Sequence, residues 1–120
     1  MNNIKIKRIY KDYSESDGYR ILVDRLWPRG ITKEKAHIDY WAKIISPSTE
    51  LRKTFSHDVD TWDEFKIRYL TELGSNEHAD EFILFIKEKL QEGNVTILYA
   101  AKNEDINHAI VLKKWIEDNI

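Results

Sequence analysis

Three groups of residues have the types and spacing to do chemistry. Asp24, Arg25 and Arg29 crowd around a Trp27-Pro28-Arg29-Gly30 stop. Two guanidiniums on so constrained a turn can grip a phosphate or carboxylate through paired hydrogen bonds. Lys102, and after it Asn107 and His108, stand at a second polar exit, where a helical pattern begins and amide-rich backbone favours anions. Ser56-His57-Asp58 forms the third group, in which Asp58 or Asp60 can orient His57 as a general base. Each group also has a plainer reading. Asp24 can pair with Arg25 or Arg29 and simply brace the loop; Ser56, Asp58 and Asp60 are ordinary helix caps; His108 can be a helix-face histidine bonded to backbone. His37 and His78 fall among helical surface residues and are not candidates.

Other chemistries lack their residues. The chain of 120 residues has no cysteine, which removes thiol catalysis, cysteine zinc sites, iron–sulfur ligation and disulfides together and fits a reducing, cytoplasmic setting. The four histidines show no His-x-x-x-His pairing, so no metal is expected. No Gly-x-x-x-x-Gly-Lys, Gly-x-Gly-x-x-Gly or Gly-x-Ser-x-Gly motif is present, so no common cofactor is expected either. The net charge of −2 argues against holding nucleic acid by bulk charge. That charge is uneven, however. Residues 1–35 carry nine Lys/Arg against five Asp/Glu, and the remainder carries ten against sixteen. The basic end is therefore the one suited to meet an anion.

These residues need elements to position them, and the length suits a single domain over residues 1–120 with its own core. Ile4 to Ile9 alternates apolar and basic residues as a strand with one wet face would. Arg20 to Asp24 and Val95 to Ala101 are short, β-branched and apolar, as strands buried on both faces are, which makes Asp24 a strand-end carboxylate. Lys11 to Gly18 is turn-rich and is expected to be mobile. Ile38, Trp41, Ile44 and Ile45 are spaced as a helix after Thr32, ended by Pro47, and Ser46 or Ser48 can cap a short helix carrying Leu51 and Phe55. Asp60 opens a helix with Trp62, Phe65, Tyr69, Leu70 and Leu73 on one face and Gly74 as its stop. Ser75 or Asn76 caps the next, with Ala79, Phe82, Ile83, Ile86 and Leu90 inward and Gly93 at its end. Asn103 or Asp105 can cap a last helix along Ile106, Ala109, Ile110, Lys113 and Ile116.

Buried strands separated by helices predict an α/β fold: a small, largely parallel sheet of about three or four strands flanked by helices, with residues 20–24 central. The first strand can run parallel or antiparallel, because about ten residues separate it from the second, short for a parallel crossover but possible. Trp62, Phe65, Phe82, Ile86, Ile97 and Ile110 are the expected core. The longest apolar stretches, Phe82 to Ile86 and Val95 to Ala101, fall well short of the ~18 residues of a bilayer span, so no membrane association is expected.

The segments Ile21-Leu22-Val23-Asp24-Arg25-Leu26-Trp27-Pro28-Arg29-Gly30, Ser46-Pro47-Ser48-Thr49-Glu50-Leu51-Arg52, Ser56-His57-Asp58, and Leu98-Tyr99-Ala100-Ala101-Lys102 with Asn107-His108-Ala109 resemble the YeaO-like branch of the domain of unknown function 488 family. The resemblance implies a small bacterial cytoplasmic protein with a shared fold and site, and no assigned reaction. The broader family tends to carry Asp-x-Arg-x-x-Pro in the first loop and Cys-His-Arg in the last helix. Here Asn107-His108-Ala109 replaces the latter, which leaves His108 without a neighbouring thiol.

In an open α/β sheet ligands lie beyond the carboxyl ends of the strands. The leading expectation is therefore an enzyme or binder of a small phosphate- or carboxylate-bearing ligand at that edge. Arg25, Arg29, Lys102 and Asn107 would bind it, and Asp24, His57 or His108 would handle a proton. The alternative is a non-catalytic interaction domain presenting the Trp27-Pro28-Arg29-Gly30 turn to another protein. A nucleic-acid-binding regulator is the weaker alternative. Nothing in the chain specifies an oligomeric state.

Overall fold

In the computed structural model, which describes residues 2–55 and 59–120, four parallel strands form one sheet. They are β1 (Ile4–Arg8), β2 (Tyr19–Leu22), β3 (Tyr40–Trp41) and β4 (Val95–Tyr99), in the order β1-β4-β2-β3. The helices are α1 (Lys33–Ala36), α2 (Thr49–Thr54), α3 (Val59–Ser75), α4 (Ala79–Glu92) and α5 (His108–Asn119). The α/β class and the strand character of all three apolar segments hold, and the first strand, whose direction the sequence left open, is parallel. The ten residues 9–18 suffice for a parallel connection because β1 and β2 are not neighbours: β4 lies between them and pairs with both.

β4 is buried at every position, as a strand covered on both faces must be. Alternation then assigns the two sides. Ile21, Val23, Val95, Ile97 and Tyr99 meet Leu51, Phe65, Tyr69, Leu73, Phe82, Ile86, Leu112 and Ile116 in the main core. Leu22 and Leu98 point the other way, into a smaller cluster with Ile9 and Ala36, roofed by Trp27, Ile38 and Trp41.

That second side also carries charge. Arg20 and Asp17 are 1% and 2% exposed, and Arg20 Nη1 donates to Asp17 Oδ2 while Lys7 Nζ lies 2.8 Å from Oδ1. The other guanidinium nitrogens donate to the carbonyls of Ala36 and His37, so the buried cation is satisfied on every side. Burial pushes the Asp17 carboxyl up, but Lys7, the Ser14 amide and Arg20 outweigh it and hold the group below its ordinary value. The second half of the turn-rich stretch 11–18 is tied to the sheet by these contacts. A capping box between Ser14 and Asp17 closes a 3-10 turn at Glu15–Asp17, and the buried ion pair pins it to β1 and β2. Gly18 follows at φ 69°, and a Cβ there would collide with the Asn94 carbonyl oxygen.

Other sequence expectations shift as well. The helix read from Ile38, Trp41, Ile44 and Ile45 is replaced by α1, strand β3 and a 3-10 turn at Lys43–Ile45. The edge of β2 takes this segment, with the Asp39 amide donating to the Arg20 carbonyl and the Ala42 amide to that of Leu22. Ile44 is consequently exposed. Leu70, expected inward, is also exposed, Trp62 packs only at the rim of the core, and Ile110 is half-buried outside it. α3 runs through Gly74 to Ser75, and the N-cap of α4 is His78.

Candidate functional site

The carboxyl ends of β2 and β4 open into a crevice of about 470 Å³, lined by Tyr10, Asp24, Arg25, Leu26, Trp27, Pro28, Arg29, Pro47, Arg52, Phe55, Phe65, Ala100, Ala101 and His108. Its floor is the junction of the two strands. Beyond β2, Asp24 Oδ2 accepts the Ala100 amide at 2.9 Å, tying the two strand ends together, and the Asp24 carbonyl accepts from Trp41 Nε1.

His108 reaches this floor because the loop before α5 is fixed by its asparagines. Asn103 Oδ1 accepts the amides of Asp105 and Ile106, and Asn107 donates to the Asn103 carbonyl. Asn107 then caps α5 through the Ile110 amide. His108, the first residue of the helix, turns back so that its Nε2 lies 2.7 Å from Asp24 Oδ1. Both atoms are sealed from solvent. At this distance the contact is an ion pair when the imidazole is protonated.

Asp24 is therefore spent on His108 and backbone, not on a guanidinium. Arg25 turns to the opposite wall, donating from Nε to the Pro47 carbonyl at 2.9 Å and from Nη2 to that of Ser46 at 3.3 Å. That wall is braced from beneath by Tyr69, whose fully buried hydroxyl donates to the Ile45 carbonyl at 2.6 Å and whose ionisation burial pushes well up. Arg29 is exposed, and its carbonyl accepts from Tyr10 Oη. The turn it belongs to needs Gly30 at φ 77°. Trp27 is half-buried, edge-on to Trp41, with its indole N–H on the Ile31 carbonyl.

The structure thus brings together Asp24, Arg25, Arg29 and His108 of the residues expected from sequence. It does not bring two others. Lys102 is exposed and does not line the crevice, and the polar atoms of Asn107 are consumed by capping in a fully buried position. His57 lies outside the described residues. Sequence reading missed Arg52 and Tyr10. Arg52 comes from the exposed side of α2, whose cap at Ser48 aims the helix along the crevice. Its signal was present in the quoted Ser46 to Arg52 segment, but only tertiary packing assigns it to this site.

Electrostatically, three guanidiniums and an imidazole face one carboxylate, in a molecule whose net charge is −2. Such a concentration of positive charge over low-dielectric walls raises the local concentration of anions. Outside the lining of the crevice, Lys11 and Glu104 join the loops after β1 and β4 at 2.6 Å; the shared hydrogen bond raises the lysine and lowers the glutamate from their ordinary values. Among the described residues no three His, Asp or Glu side chains converge to hold a metal ion, and no helix is long and apolar enough to cross a membrane.

Comparison with known proteins assigns the family. The chain is 48% identical over 114 residues to the uncharacterized protein YeaO of Escherichia coli K12, across 95% of this chain and 96% of that one. It is 35% identical over 113 residues to the uncharacterized proteins Mb3100c of Mycobacterium bovis and Rv3073c of Mycobacterium tuberculosis, across 94% of this chain and 92% of each. No solved structure matches significantly. The profile described as the inactive DUF488-N3 subclade matches residues 3–120, and the chain therefore belongs to this YeaO-like branch of the DUF488 family.

Proposed function

We propose that the protein binds a small anionic ligand in the crevice at the carboxyl edge of its sheet and does not transform it. The observation that carries this reading is the state of the arginines. Asp24, the one acidic side chain of the lining, is engaged by His108 and the Ala100 amide, which leaves Arg29 and Arg52 with no carboxylate partner among the described residues. Exposed guanidiniums at the mouth of a cavity and lacking internal partners are what a phosphate or carboxylate would engage by charge-assisted hydrogen bonds.

Two observations favour binding over turnover. Asp24 Oδ1 and His108 Nε2, where the two side chains meet, face each other and are closed to solvent, and Asp24 Oδ2 is held by the Ala100 amide. A general acid or base must instead reach the group it serves. The subclade to which the chain belongs is also described as inactive.

The test is calorimetric titration with inorganic phosphate of the wild type and of the variants Arg29→Ala and Arg52→Ala. Each substitution should weaken binding by about 1.5–3 kcal/mol, the range of a hydrogen bond to a charged group, with thermal stability retained. A destabilised protein with unchanged phosphate affinity would make these arginines scaffold. Weight would then pass to the interaction-domain reading, for which the specific support is Leu26, 62% exposed beside the Trp27-Pro28 turn.

A further inference from the structure

Resting on that reading, we infer the class of the ligand: an oxyanion, phosphate or carboxylate, carried on a flat apolar body such as an aromatic ring, and not a hydroxyl-rich one such as a sugar or polyol phosphate. The argument comes from what the walls have left to offer. Away from the arginines, and apart from Tyr10, Asp24, His108 and the two alanines at the floor, the lining is Leu26, Trp27, Pro28, Pro47, Phe55 and Phe65.

Among the described residues, most polar side-chain handles on these walls are already used, Asp24 and His108 on each other. Trp27 Nε1 donates to the Ile31 carbonyl, Tyr10 Oη to the Arg29 carbonyl, and two of the Arg25 nitrogens to the carbonyls of Pro47 and Ser46. At the floor, the Ala100 amide is held by Asp24, and the carbonyls of Ala100 and Ala101 accept from Arg8. An occupant with several hydroxyls would give up its water and find few partners, a loss that recurs for each unmatched group. An apolar body loses nothing there and gains from covering the rings and prolines.

Size points the same way. The crevice, at about 470 Å³, lies within the roughly 300–1,000 Å³ of sites for organic small molecules, so a bare inorganic anion would leave most of it unfilled. The charge sits at the mouth on Arg29 and Arg52, both exposed, and the rings Phe55 and Phe65, stacked at 4.2 Å, are both nearly buried. The ligand's anionic head therefore faces outward and its apolar end inward.

The test is a calorimetric comparison of phenyl phosphate, benzoate, glycerol 1-phosphate, inorganic phosphate and uncharged phenol on the full chain. Phenyl phosphate or benzoate should bind at least about tenfold more tightly than glycerol 1-phosphate or inorganic phosphate, which is the effect of removing about 60 Å² of apolar surface from water. Whichever of the two is tighter identifies the head group. Glycerol 1-phosphate matching or exceeding both would overturn the ligand class while leaving the anion site standing. If no anion binds, or phenol binds as well as phenyl phosphate, the anion site itself falls. Trp27→Ala should abolish the preference for phenyl over glycerol phosphate. If that variant does not fold by circular dichroism, Leu26→Ser, at an exposed position, should reduce the preference about threefold. An unchanged preference in the folded variants would again count against the inference.

Discussion

Replacing Asp17 by Asn tests the account of how the sheet's second face is held. The carboxylate is 2% exposed and accepts from Lys7, Arg20 and the Ser14 amide. Of the two cations, Lys7 is 22% exposed and can turn its ammonium to water, so its share of the loss is at most the ~1 kcal/mol of a surface pair. Arg20 cannot. At 1% exposure it would remain as a buried cation facing an amide, a situation that costs about 3–5 kcal/mol when one partner of a buried pair is removed. Its bonds to the carbonyls of Ala36 and His37 survive the substitution, which places the expectation at the lower end, about 3 kcal/mol. Against a total stability of about 5–15 kcal/mol this is a large fraction, and it corresponds to a fall of roughly 10–15 °C in Tm for a domain of this size.

Urea unfolding at neutral pH, with unchanged m-value, reads the loss directly. Acid adds a second readout. The folded Asp17 carboxyl titrates below its unfolded value of about 3.9, so its contribution is present above that pH and disappears as pH falls through the folded value. The wild type should therefore lose stability below about pH 4 more steeply than Asp17→Asn, which has no such carboxyl. A loss under about 1 kcal/mol, or parallel acid curves for the two proteins, would refute the claim that this ion pair holds the turn.

Gly18→Ala should cost at least about 2 kcal/mol in the same unfolding assay, because it combines positive φ with a clash against the Asn94 carbonyl; a change below 0.5 kcal/mol, about that of an ordinary surface site, would mean the backbone relaxes freely there. Phe82→Ala should cost about 3–5 kcal/mol, Trp62→Ala distinctly less, and Leu70→Ser under about 0.5 kcal/mol, as their burial dictates. Equal losses at Trp62 and Phe82 would show that burial does not rank them.

Much of the frame was legible in the chain, for physical reasons that differ by element. β4 announced itself because a short strand covered on both faces reads as a β-branched, largely apolar run without helical spacing. Asp24 followed as a strand-end carboxylate, and His108 as a residue at the start of the last helix that faces the same edge of the sheet. β3 was hidden: Ile38, Trp41 and Ile45 carry helical spacing, and only the free edge of β2 overrides it. The partner of Asp24 was misassigned for a similar reason. Arg25 is adjacent in sequence, but its guanidinium finds two carbonyls on the wall opposite, whereas His108 arrives from 84 positions away. Lys102 and Asn107 followed β4 in sequence and so seemed to share its site; the asparagine-fixed loop turns one out to solvent and consumes the other as a cap. Arg52 reaches the crevice through the docking of α2 against the core, a relation that no local pattern encodes.

The central claim, an anion site at the carboxyl edge of the sheet, is tested most directly by mapping where a simple anion binds. Titrating the isotope-labelled protein with inorganic phosphate should shift the side-chain Nε–H signals of Arg29 and Arg52 and the amides of Leu26, Arg29 and Ala101, with one saturating affinity. Saturating shifts confined to the basic strand around Lys5 and Lys7, or no saturable shifts at all, would contradict it.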